Sequence, residues 1–170
     1  MAAAEIGGAP DATVGSEDAT RTEGTATALA RGAAAGAVGT AVMTVAQTVE
    51  MRVSGRPPSM VPGQVAAKLL RLRPKRRDLP RVSIRMHWAH GVAQGTVRAL
   101  VGRATGLSGP TAGAAHFAMM WSSDALLYRA LGISSWPWRW SAAELAPDLI
   151  HKGLYAMVTS AVYERLRPGR

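Results

Sequence analysis

Hydrophobic and polar positions divide the chain into four stretches of helical period, separated by short turns and one long basic loop. The first, from Ala28 to Glu50, reads ALARGAAAGAVGTAVMTVAQTVE, and nothing between Gly32 and Val49 ionises. Small or hydroxyl side chains recur every fourth residue at Gly32, Gly36, Thr40, Thr44 and Thr48. A ladder of that kind lets a second helix backbone approach closely. At about 1.5 Å per residue, residues 27–49 extend ~34 Å, enough for a hydrocarbon core of about 30 Å. The pattern predicts a membrane-spanning helix over 27–49 whose packing face carries Gly32, Gly36, Gly39 and Thr40. A buried helix of a water-soluble helical domain is the alternative that such an Ala/Gly-rich run also allows.

Residues 51–82 break the period with Gly55, Pro57, Pro58, Pro62, Pro74 and Pro80 while basic residues accumulate. Inside this loop, Pro62 to Leu72 reads as a short helix with Val61, Val65, Leu69 and Leu72 on one side and Lys68 and Arg71 on the other. Arg73, Lys75, Arg76 and Arg77 follow directly. A basic amphipathic helix with such a tail suits anionic lipid headgroups.

A second span is expected over 83–102, where small residues recur at Gly91, Gly95 and Ala99 beside Arg85, His87, His90, Gln94 and Arg98. It can cross only if its polar side meets protein or a wet cavity, with Arg85 and Arg98 reaching towards opposite interfaces. It is the span most open to being re-entrant. The turn at 102–110 is short, so its flanking helices should be antiparallel neighbours. The third span, 111–131, places His116, Met120, Asp124 and Tyr128 four apart on one side. Trp136, Trp138 and Trp140, interleaved with Pro137 and Arg139, then suit an interfacial aromatic belt. The fourth span, 141–163, opens on Ser141 with Glu144 in the capping-box position. Glu144, Asp148, His151 or Lys152, Tyr155 and Thr159 follow at three- and four-residue steps, and Asp148 is also placed to pair with Lys152 four residues on.

Composition supports an all-α chain of four transmembrane helices packed by small residues: hydrophobic residues are 48% but aromatics only 5%. Mean hydropathy is +0.04, diluted by the basic loop and by residues 1–26, whose polar, aperiodic sequence reads as a disordered tail. Residues 166–170 form a short second tail. The first residues lack the basic start and apolar run of a secretory leader, so the first apolar segment is expected to be retained. Net charge is +9, concentrated in the first loop, which the positive-inside rule puts on the cytoplasmic side. No aromatic residue interleaves with these charges, so anionic lipid rather than nucleic acid is the expected partner. Cysteine is absent, which removes disulfides and thiolate metal sites.

Ionisable groups at membrane depth are costly enough to mark function. The candidate polar cluster is His87, His90, Gln94, His116, Asp124, Glu144, Asp148, His151 and Tyr155, and neutral imidazole can pass a proton near physiological pH. A membrane-bound metal enzyme is the runner-up, with His87 and His90 joined by Asp148 and His151 as ligands. Only one His-x-x-His pair is present, so neither a metal nor another cofactor is assigned. In a third reading, the glycine face of Gly32, Gly36 and Gly39 binds a second copy or another membrane protein.

The segments AxGAAAGAVGTAVM, VEMRVSGRPPSMVP, HWAHGVAQG and ELAPDLIHKGLYA together resemble a family of small uncharacterised bacterial multi-pass membrane proteins, over about Ala28 to Leu166. The resemblance implies a four-span protein of the bacterial inner membrane and carries over no catalytic residues.

Overall fold

A computed structural model describes the backbone of residues 13–167 and the side chains of residues 24–167. The first part of the expected N-terminal tail and the last three residues lie outside the described residues. Among those described there are five α-helices and no strands: α1 Thr13–Ser54, α2 Val61–Leu69, α3 Leu79–Thr105, α4 Gly109–Ala130 and α5 Ala142–Leu166. A 3₁₀ turn, Pro137–Arg139, joins α4 to α5.

Helix boundaries follow the prolines and glycines. Pro62, Pro80 and Pro110 each sit in a first helical turn, where a missing N–H costs nothing. Gly55, Gly106 and Gly132 adopt positive φ just past α1, α3 and α4 and turn the chain out of the helix. Gly106 N–H closes α3 on the Gly102 carbonyl at 3.0 Å. α1 starts well before residue 27, inside the stretch expected as tail. No proline falls between Pro10 and Pro57, so no backbone donor is missing along that run.

α1 lies between α3 and α5, α4 packs mainly on α5, and α2 folds back on α3. The α1–α3 crossing is glycine on glycine. A Cβ added at Gly36 would stand 2.6 Å from the Gly91 carbonyl oxygen and 2.9 Å from the Gly95 Cα. Gly39 meets Thr159 and Tyr155 of α5, and Thr40 packs on Gly91. The glycine face considered above as a docking surface for another protein is therefore filled from within the chain. Lys68 donates to the Leu131 carbonyl, which brings the basic loop and the α4–α5 connection to one end of the molecule. At the other end, Arg103 donates to Thr25 at 3.0 Å.

Among the described residues, one stretch, Gly24–Ser54 of α1, is long and apolar enough to cross a membrane by itself. The helices at the other three expected spans fall short because ionisable residues interrupt them: Arg85 and Arg98 in α3, Asp124 and Arg129 in α4, Asp148, Lys152 and Glu164 in α5. Composition therefore supports one span by itself, not four.

The interior is polar and small. Its apolar members are mainly alanines with Met43, Met120, Val65, Tyr155 and Tyr163, and among the described residues no leucine or isoleucine is fully buried. Thr40, Arg98, His116, Asp124, His151, Thr159, Ser160 and Glu164 are buried instead. Many large apolar side chains face outward, with Val45 64%, Leu126 59% and Met157 71% exposed.

Candidate functional site

The helical spacing of His116, Met120 and Asp124 turns one side of α4 inward, and all three are buried. Asp124, 3% exposed, is the centre of a charged cluster drawn from three helices. Its carboxylate stands 3.3 Å from His90 Nε2 of α3 and 3.1 Å from Lys152 Nζ of α5. Tyr128, one turn along α4, donates to it at 3.4 Å. Lys152 also reaches Asp148 at 3.1 Å and lies 5.1 Å over the Tyr128 ring. Trp121 Nε1 donates to Asp148 at 2.9 Å. One lysine is thus shared between two carboxylates. A buried cluster of this kind holds together only while the charges balance, because the interior offers little solvation to an unpaired one.

The cluster forms part of the wall of a cavity of about 820 Å³ bounded by α1, α3, α4, α5 and the loop before α2. His87 and His151 line it as well, with Met43, Met51, Met60, Met86 and Met120 on the apolar wall. Thr44 Oγ1 donates to the Thr40 carbonyl at 2.7 Å and stands 3.0 Å from His87 Nε2. Trp140 and Glu144 also line the cavity, close to the basic-loop end. Arg56, in the loop, forms a 2.6 Å ion pair with Glu50, whose hydrogen bonds hold the guanidinium above its usual range.

A second cluster closes the far end. Arg98 is 0% exposed and donates to Glu164 and to Ser160, each at 2.8 Å. Glu164 also accepts from Gly109 N–H at 3.1 Å and from Arg167 at 3.2 Å. The Arg98 guanidinium stacks over Tyr163 at 5.1 Å. Neither Arg98 nor Glu164 lines the cavity. Around this far cluster and towards the cavity, Gln94 Oε1, Thr159 Oγ and both ring nitrogens of His116 are buried without a well-formed hydrogen bond. Tyr155 donates to the Gly91 carbonyl at 2.6 Å, so its hydroxyl serves the α3–α5 crossing.

The predicted site residues therefore separate. His90, Asp124 and Asp148 come together around Lys152, and His87 and His151 share their cavity, while His116 and Gln94 sit deeper. Glu144 is exposed and accepts from Ser141 N–H at 2.9 Å; it caps α5 and is not part of the inward cluster. Arg98 does not reach an interface, because Glu164 and Ser160 hold it in the interior. The proposed metal ligands do not converge: His87 turns to Thr44, and Asp148 to Trp121 and Lys152. Among the described residues no three His, Asp or Glu side chains are grouped so as to hold a metal ion. Lys68, Arg71, Arg73, Lys75, Arg76 and Arg77 are all exposed, beside the exposed Leu69, Leu70 and Leu72. Lys152 pairs with Asp148 four residues away as its spacing suggested, and it also reaches Asp124. Glu164 is the charged partner that the helical spacing did not single out; its signal is an ionisable residue on the same inward stripe as Tyr155 and Ser160.

Comparison of the chain with protein-family models, with curated proteins and with solved structures finds no match in any of the three.

Proposed function

We propose that the chain is a four-span integral protein of the bacterial inner membrane whose cavity handles protons or a small polar solute. The observation that carries this reading is the inverted distribution of side chains. Arg98, His116, His151, Asp124 and Glu164 are buried while Val45, Val49, Leu126, Ile150 and Met157 are exposed, an inversion unusual in a water-soluble helical domain and suited to a hydrocarbon solvent. In that setting α3, α4 and α5 need not be apolar all round, since their ionisable groups pair with each other. The exposed leucines and arginines of α2 and the loop after it suit an anionic headgroup layer, and the tryptophans of the α4–α5 connection belong to the same interface.

Cell fractionation tests the premise. The protein should stay in the membrane pellet through alkaline carbonate and high-salt washes and dissolve only in detergent. Release by carbonate would reduce the same side chains to the interior of a peripheral or soluble protein. Function is tested in proteoliposomes: Asp124→Asn should change pH-dependent flux of protons or solute while leaving insertion intact, and unchanged flux would count against the cavity.

A further inference from the structure

The cavity wall carries an imbalance of charge. Asp124 and Asp148 share one cation, Lys152, at 3.1 Å from each. At the rim Arg56 is already matched by Glu50 at 2.6 Å, and Glu144 adds a further carboxylate to the lining. Two carboxylates against one lysine leave negative charge in excess at this wall, and the nearest other group to Asp124 is the His90 ring, 3.3 Å away. The rest of the wall is largely methionine, a flexible and polarisable surface that accepts varied apolar shapes. A volume of about 820 Å³ lies within the usual range for small-molecule sites.

We propose that this cavity takes an amphipathic organic cation, its positive head beside the Asp124 and Asp148 carboxylates and its apolar body along Met43, Met51 and Met86. An ammonium or phosphonium centre supplies the second positive charge that two carboxylates sharing Lys152 leave unmatched. The inference rests on the membrane reading for the solute's route, not for the chemistry of the wall.

The test uses the full chain in phosphatidylcholine nanodiscs, with empty nanodiscs subtracted. The probes are tetraphenylphosphonium and tetraphenylborate, of one shape and opposite charge. The phosphonium should bind saturably and in preference to the borate, and Asp124→Asn should weaken it by about tenfold, as loss of a nearby charge in a weakly solvating wall does. Preference for the borate, no saturable phosphonium binding, or a folded Asp124→Asn with unchanged affinity would overturn the proposal. Should Asp124→Asn fail to fold, Asp148→Asn, on the more exposed wall, carries the comparison. Binding of the phosphonium by protein that carbonate releases from membranes would sink the membrane reading alone. Retention in the membrane without phosphonium binding would sink this inference alone.

Discussion

Arg98 illustrates how much a single buried charge demands. With its guanidinium fully enclosed and tied to Glu164 and Ser160, removal of the acid leaves a charge with no compensation, a loss on the order of 3–5 kcal/mol. Glu164→Gln should therefore destabilise the protein more than Arg98→Met, and the double variant should recover part of the loss. Thermal melts in one detergent check the order, and equal costs would mean that water already reaches the pair. Residue spacing made His116, Asp124, His151 and Tyr155 legible as an inward stripe, since periods of three and four map onto a helix face. Arg98 was misread because its partner lies 66 residues away on another helix, and no local pattern records which distant acid will meet a given base. A second consequence concerns His87. Thr44 spends its only proton on the Thr40 carbonyl, at 2.7 Å, so the 3.0 Å contact to His87 Nε2 must use a hydrogen on the ring. Nitrogen-15 spectra of the neutral protein should show the Nε2–H tautomer, shifting in Thr44→Val; an Nδ1–H tautomer would mean the contact is not a hydrogen bond.

At the level of the helix, the decisive contacts are made by missing side chains. Gly36 sits where any Cβ would meet the backbone of Gly91 and Gly95, so Gly36→Leu should separate α1 from α3 and lower the melting temperature sharply. Gly24 has nothing within 4 Å of its would-be Cβ. Gly24→Ala should then be neutral or gain up to about 1 kcal/mol through helix propensity. Similar losses for both variants would show that α1 and α3 do not cross at glycine. The four-residue ladder announced that crossing and Pro62 the start of α2, whereas Pro80 and Pro110, which read as loop and turn residues, lie inside the first turns of α3 and α4. Span status was less legible, because a helix such as α3 has an ordinary composition until its polar groups acquire partners. Its Arg98 and His90 look incompatible with lipid one helix at a time, and their partners, Glu164 of α5 and Asp124 of α4, emerge only in the packed structure.

For the molecule as a whole, the direction of the chain sorts charge between two ends. One end holds α2 and the loops on either side of it, with Arg56, Arg73, Arg76 and Arg77, and the connection carrying Arg129 and Arg139; the other holds Arg103, Arg165 and Arg167. In the membrane arrangement proposed above, the richer end should face the cytoplasm. Because the chain has no cysteine, a single Arg73→Cys substitution gives a clean probe. It should resist an impermeant maleimide in intact cells and react after lysis, and labelling of intact cells would reverse the orientation. The cavity belongs to that same end, whereas the Arg98–Glu164 pair stoppers the opposite one. The interior is thus a cul-de-sac: on the proposed reading, solute would be admitted and returned on a single face, and onward passage would require α3 and α5 to part and two opposite charges to let go of each other, one latch for any traffic.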